Sequence, residues 1–301
     1  MEGAEKVKKK NYIIGSDIGG TKIHTGIVDL NGKLIGKTVK VSTDAQDSAE
    51  KIVSRMIDTI KNAVKNSGIR FDSVKGIGLG LPGPLDMERG IILTPPNMKT
   101  MHGYKIKAKF EKEFKVPVFT NNDGNCFVLG ETCFGAAKGE NIVYGITLGT
   151  GFGNGIVIDK KIFNGSTGTA AENWISPYNG KNFEECLSNK GIVSMYYEKT
   201  GRKKESKEVY ELAKKGDGIA IDTWKEYGYH LGIAMSYVVN LLDPSVIVVG
   251  GSLSNAFNFF IKDLMLSLKK NINPIPSQYI RVLKSKLGDN AGLIGAASQA
   301  L

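Results

Sequence analysis

The sequence predicts an α/β protein of two lobes related by pseudo-symmetry, with a ligand cleft between them. Three observations lead to that class. Residues 12–40, YIIGSDIGGTKIHTGIVDLNGKLIGKTVK, alternate short β-rich runs with Gly and Asn-Gly punctuation, which reads as strand, tight turn, strand, turn, strand. Residues 142–165, IVYGITLGTGFGNGIVIDKKIFNG, repeat that order. Each block is followed by helical patterns and a buried apolar strand, so one unit is duplicated, and a ligand held where the copies meet would touch glycine turns from both.

In chain order, residues 46–68 carry helical periodicity, VKGIGLGLPG at 74–83 is a buried strand, and a Pro- and Gly-rich loop follows. A helix near 105–115 precedes the strand VPVFTNND, after which a helix begins near Cys126 with Asn125 available as its cap. In the second half, helices lead to the apolar strand SVIVVGG at 245–251 and then to a helix starting near Asn255.

Composition removes several classes. At 41% hydrophobic and 23% charged, 301 residues are enough to build folded domains with real cores, and disorder is not expected. No apolar run reaches the roughly 20 residues of a membrane span, and MEGAEKVKKK lacks the apolar stretch of a signal peptide, so a cytoplasmic protein is expected. Cys126, Cys133 and Cys186 are spaced for neither a disulfide framework nor a zinc ribbon and are expected to be reduced. The net charge of +10 raises the question of nucleic acid, but the lysines are mixed with glutamates along amphipathic stretches such as 104–115 and 199–215. They read as solvated helix faces, and neither nucleic acid nor membrane is expected as a partner.

The first glycine turn is Asp17-Ile18-Gly19-Gly20-Thr21-Lys22. Missing Cβ atoms let backbone N–H groups approach a polyphosphate, Thr21 adds a hydroxyl, and Asp17 can hold a hydrated magnesium ion. The plain alternative is a β-hairpin, in which a carboxylate aimed at the turn would be idle. A second turn, Gly149-Thr150-Gly151-Phe152-Gly153-Asn154-Gly155, places four glycines at alternate positions, a cost in strand stability that close backbone approach would explain. A third site, Gly250-Gly251-Ser252, ends an apolar strand, where open α/β sheets bind ligands and paired glycines admit an adenine-ribose unit. Gly78, Gly80 and Gly83 match G-x-G-x-x-G in form, but Pro82 and Pro84 spoil the helix that the dinucleotide fingerprint needs, and no Walker A motif occurs.

Asn121-Asn122-Asp123-Gly124-Asn125 follows the strand at 116–119 directly. An amide beside a carboxylate at a strand end can bind sugar hydroxyls while the carboxylate accepts the proton of the attacking one; the plain alternative is an Asx turn capping the next helix. Glu172 in TAAENW and Glu184 in KNFEECLS can accept hydrogen bonds from further hydroxyls, although each taken alone reads as a surface charge.

In this order, the motifs resemble the ROK family of sugar kinases and sugar-responsive repressors, within the hexokinase and actin-like ATPase superfamily. The resemblance runs from about Tyr12 to Leu301 through DIGGTK at 17–22, GLPGPLD at 80–86, PNM at 96–98, NDGN at 122–125, LGTG at 148–151 and GLIGAA at 292–297. It implies two actin-like, ribonuclease H-like lobes: residues 1–125 plus 291–301, closed by the returning last helix, and residues 126–290. It also implies Asp123 as catalytic base, Asn122, Gly83, Glu172 and Glu184 as sugar-binding residues, and ATP with Mg2+ as cofactors. Gly19, Gly20, Thr21, Lys22, Thr150, Gly151 and Gly153 would form the phosphate turns, and Gly250, Gly251 and Ser252 the adenosine contact. A homodimer is implied as well.

Two departures stand out. The family's zinc-binding cysteine loop is missing, so zinc is not expected, and Ile175 stands where a histidine would ligate zinc and touch the sugar. Some N-acetylmannosamine kinases of the family look similar in this stretch. The expectation is phosphoryl transfer from ATP to the 6-hydroxyl of a hexose, glucose first, with N-acetylmannosamine, fructose, allose and mannose as alternatives. A repressor would need a preceding helix-turn-helix domain for which there is no room before Asp17. A filament-forming ATPase would not need the Asn122-Asp123 pair.

Overall fold

Three successive strands, β1 (Tyr12–Ile18), β2 (Lys22–Asp29) and β3 (Leu34–Ser42), form the antiparallel meander expected of residues 12–40. The computed structural model describes residues 10–301, and the basic stretch 1–9 lies outside the described residues. α1 (Ala49–Ser67) begins at its Ser48 cap and stops at Gly68, whose φ of 71° is the left-handed conformation that ends helices. Its buried stripe of Ile52, Met56, Ile60 and Ala63 recurs at helical spacing and packs in one core with Ile14, Ile18 and Ile23. β4 (Val74–Leu81) pairs parallel with β1, the short strands β5 (Leu85–Asp86) and β6 (Ile91–Ile92) form a hairpin, and α2 (Ile106–Phe114) leads to β7 (Val118–Asn122), which pairs parallel with β4. α3 (Asp123–Phe134) follows without a loop. The resulting sheet order is β3-β2-β1-β4-β7.

The second sheet repeats this plan. β8 (Ile142–Leu148), β9 (Phe152–Ile158) and β10 (Lys161–Ile162) are an antiparallel meander. A small hairpin of β11 (Pro177–Tyr178) and β12 (Lys181–Asn182) precedes α4 (Phe183–Leu187), α5 (Asn189–Thr200), α6 (Ser206–Lys214) and the long α7 (Gly218–Leu242). β13 (Val246–Gly250) pairs parallel with β8, and after α8 (Phe257–Lys270) and α9 (Pro274–Tyr279) the last strand, β14 (Arg281–Lys284), pairs parallel with β13. The order β10-β9-β8-β13-β14 matches the first sheet position for position. The helix expected from about Asn255 begins instead at Phe257, because Ser252–Ala256 first make a tighter 3₁₀ turn in which the Ser254 hydroxyl donates to Gly251 O at 2.7 Å. Trp224, Tyr227 and Leu231 of α7 anchor the core of this unit against Phe260 and Leu264 of α8.

By packing, one unit runs to Phe134 and takes in Asn164–Thr169 and Asn290–Leu301; the other comprises Gly135–Phe163 and Ala170–Asp289. α10 (Ala291–Ser298) explains why the first unit reclaims the chain's end. A Cβ on Gly78 of β4 would lie 1.7 Å from Ala296 O, and one on Gly295 of α10 would lie 1.6 Å from Cys126 O of α3. Gly78, the first of the glycines that imitate a dinucleotide fingerprint, thus lets α10 lie directly on the sheet. Among the described residues, no helix is long and apolar enough to cross a membrane.

Candidate active site

In the first unit, β1, β4 and β7 run parallel, so their carboxyl ends share one edge, and the register sets Asp17 opposite Gly80 and Gly80 opposite Asn121. The candidate residues from three distant segments are therefore neighbours on one rim. The turn after β1 is closed by Gly19 N–H donating to Lys22 O at 2.9 Å. Behind it, the fully buried Thr43 donates its hydroxyl to Gly19 O at 2.6 Å and its N–H to Thr21 O at 3.0 Å. Gly20 lies against Asn97, where an added Cβ would come within 3.1 Å of the asparagine Cβ.

At the end of β7 the helix starts at Asp123, not near Cys126. Asn125 is not its cap: it is buried, and its amide donates to Asn121 Oδ1 at 2.9 Å. Capping falls to Asn122, whose Oδ1 accepts from Gly124 N–H at 2.8 Å. With Oδ1 so engaged, the Nδ2 end faces Gly83, where an added Cβ would lie 2.8 Å away. Asp123 sits in the first helical turn, its Oδ1 also accepting from Gly124 N–H at 2.8 Å. Beneath this rim, burial pushes the Cys126 thiol well up, and the charges of Asp17 and Asp123 push it further. Both carboxylates thus act on the same buried point.

The second unit gathers its own set. The turn after β8 is held by Gly149 N–H donating to Gly151 O at 3.0 Å and by Asn189 N–H donating to Gly149 O at 2.8 Å. A Cβ on Gly149 would lie 3.2 Å from Ser252 Oγ, so the second and third glycine sites adjoin. Gly251, at φ 78°, backs onto Leu148, where any side chain would strike the main chain at 2.3 Å. Glu184, in the first turn of α4, accepts from Phe152 N–H at 3.1 Å, bringing its carboxylate onto the second turn beside Gly151. Glu172 accepts from the indole N–H of Trp174. Burial raises the Glu172 carboxyl above its ordinary range, the Trp174 hydrogen bond opposes this, and the negative charge of Glu184 adds to the rise. The Ile175 side chain is 64% exposed. A cavity of about 480 Å³, within the range of small-molecule pockets, is lined by residues including Asn189, Lys190, Tyr197 and Lys203.

Sequence reasoning missed Thr43 and Asn189, which brace the two turns through backbone bonds that no motif spells. It also missed the contact of Glu184 with the second turn. The only local signal there was the Asn182 to Glu185 capping box that starts α4.

The fit to magnesium can be judged from the donors. Asp17 lies at the mouth of the first turn against Gly292, where an added Cβ would come within 2.7 Å of its carboxylate, and the described residues hold no group of three ligating side chains. One carboxylate beside a glycine turn suits a hydrated ion that takes most of its other ligands from a bound polyphosphate and water.

The sequence profile of the ROK family matches residues 13–301. The chain is 30% identical to a glucokinase of Halalkalibacterium halodurans, over 94% of this chain and 93% of that protein. It is 29% identical to an N-acetyl-D-glucosamine kinase of Vibrio cholerae, over 94% of this chain and 97% of that one. Among solved structures, a ROK glucokinase of Streptomyces griseus in complex with glucose and AMPPNP superposes with a TM-score of 0.80 at 31% identity, covering 96% of this chain and 98% of its own. The α/β actin-like class expected from the sequence is the class of such neighbours.

Proposed function

The chain belongs to the ROK family and is a sugar kinase, and on that premise we propose that it transfers the γ-phosphoryl group of ATP to the 6-hydroxyl of glucose. The observation that carries this reading is the shared rim of the first unit: Asp123 stands one residue beyond an amide that caps its helix with one end and offers N–H donors with the other, beside Asp17 and the first glycine turn. Asp123 takes the hydroxyl proton as the sugar oxygen attacks the γ-phosphorus, the new O–P bond forming as the bond to the β-phosphate oxygen breaks and ADP leaves. Gly83, Asn122, Glu172 and Glu184 hold the sugar. The turns at 19–22 and 149–153 hold phosphates, and residues 250–252 with the Asn189 cavity hold the adenosine. Asp17 would hold Mg2+ through water, and the ion supplies charge neutralisation to the phosphates when bound. A homodimer in the cytoplasm, acting without zinc, completes the proposal.

The test is a coupled assay of ADP release with magnesium supplied, a zinc-selective chelator present, and glucose, mannose, fructose, allose, N-acetylmannosamine and N-acetylglucosamine offered in turn. Glucose-dependent turnover is expected. ATP hydrolysis indifferent to sugar, or none with any sugar, ends the reading; a preference for an acetamido sugar moves the substrate and leaves the chemistry. The N-acetyl sugars earn their place because the chain also resembles N-acetyl-D-glucosamine kinases and because Ile175 offers no polar group to a sugar hydroxyl.

Glu172 adds a pH dependence. Its folded carboxyl titrates above the ordinary value of 4.5, so the protonated form is favoured on folding; that contribution to stability is complete below the unfolded pKa and is lost as pH rises through the folded one. Ligand binding runs the other way, since the ionised carboxylate accepts at both oxygens and makes the stronger, charge-assisted bonds to hydroxyls. The KM for sugar is expected to rise on acidification with a midpoint above 4.5, and Glu184→Gln should lower that midpoint by removing the neighbouring charge. A midpoint unmoved in Glu184→Gln and retained in Glu172→Gln would assign the titration to another group.

A further inference from the structure

We propose that Arg55 is a positioning residue for nucleotide binding, setting the direction of two backbone amides in the first glycine turn through Thr43. Arg55 lies on α1, outside every motif, with its side chain a quarter exposed. Its guanidinium donates to Thr43 O and to Asp47 Oδ2, the latter at 2.7 Å, and lies 3.3 Å from Asp44 Oδ2. One cation thereby clamps residues 43–47, and the Arg55 hydrogen bond holds the Asp47 carboxyl below its ordinary range. Thr43, fixed by this clamp, engages the carbonyl oxygens of both Gly19 and Thr21.

The consequence follows from peptide geometry. In a planar trans peptide the C=O and the following N–H point in opposite directions. Binding the Gly19 and Thr21 carbonyls to Thr43 therefore turns the N–H groups of Gly20 and Lys22 away from Thr43, as donors for an anion. If the clamp loosens, the carbonyls are released and either peptide can rotate, presenting oxygen where a phosphate needs N–H. Arg55 touches no substrate in this scheme. A planar fork is suited to the role because it meets a carbonyl and two carboxylates at once, which an ammonium cannot do in the same geometry.

This proposal rests on the reading that residues 19–22 bind phosphate, and the experiment separates the two. Steady-state kinetics of Arg55→Met, Arg55→Lys, Thr43→Val and the double variant Arg55→Met/Thr43→Val are compared with Gly20→Val, which fills the turn itself. Arg55→Met and Thr43→Val are each expected to raise KM for ATP about tenfold with KM for sugar unchanged. Arg55→Lys should recover part of the loss, and the double variant should be no worse than the worse single one, since both cut the same relay. If Gly20→Val weakens ATP binding while Arg55→Met and Thr43→Val do not, or if their losses fall equally on ATP and sugar in step with a lowered Tm, Arg55 is an ordinary structural ion pair. If Gly20→Val itself leaves KM for ATP untouched, the phosphate reading of the turn fails first.

Discussion

Asp123→Asn is expected to keep sugar binding and lose turnover by about 10²–10⁴-fold, the range general-base assistance supplies. The amide is nearly isosteric and retains an oxygen that can accept from Gly124 N–H, as Asp123 Oδ1 now does. Asn122, the cap of the helix, is untouched, so the rim should stay in place. The fold loses only the favourable placement of a carboxylate at a helix amino terminus, about 0.3–1 kcal/mol. What the variant cannot do is take a proton from the attacking hydroxyl. Calorimetric titration with glucose alongside the coupled assay distinguishes the cases. Near-normal turnover removes Asp123 from the role, and loss of sugar affinity with turnover intact at saturation would recast it as a binding residue.

The largest expected effect on stability is at Gly295. An added methyl would lie 1.6 Å from Cys126 O and 2.7 Å from Gly130 N, both main-chain atoms, so no side chain can move to make room. Gly295→Ala must push α10 off α3, and we expect a loss above about 3 kcal/mol, at or beyond the upper end of overpacking costs. Gly218→Ala is the control: nothing lies within 4 Å of that position at the start of α7. There the same substitution should be neutral or stabilising by about 0.4–1 kcal/mol. Denaturant unfolding of both variants reads the contrast; equal midpoints would mean that the two helices part without cost.

Elements that announce themselves locally were legible in the sequence. The two meanders, α1, α2 and β7 follow from β-rich runs, helical periodicity and glycine punctuation, all decided within a few residues. The repeated order of those signals pointed to the duplicated sheet plan. The start of α3 was harder, because Asn122 and Asn125 are equally good caps by type and only the side-chain bond of Asn125 to Asn121 settles the choice. The purpose of Gly78 depends on a helix more than two hundred positions away in the chain, and no window of sequence reports that. The same holds for Thr43 and Arg55, ordinary residues whose importance lies entirely in what they touch. Asn164–Thr169 likewise packs with the first unit through long-range contacts, among them Asn121 Nδ2 donating to Asn164 Oδ1 at 3.1 Å.

The return of α10 bears on how the chain matures as it leaves the ribosome. On the face that α10 covers, β1 contributes Gly15 and β4 contributes Gly78, which carry no side chain to shield the strands there, and the helix that shields them is synthesised after every strand of both sheets. Until α10 has been made, that face lacks its cover, and the second sheet with its helices can assemble first. The strands made earliest are thus the ones that wait longest for the helix that covers them.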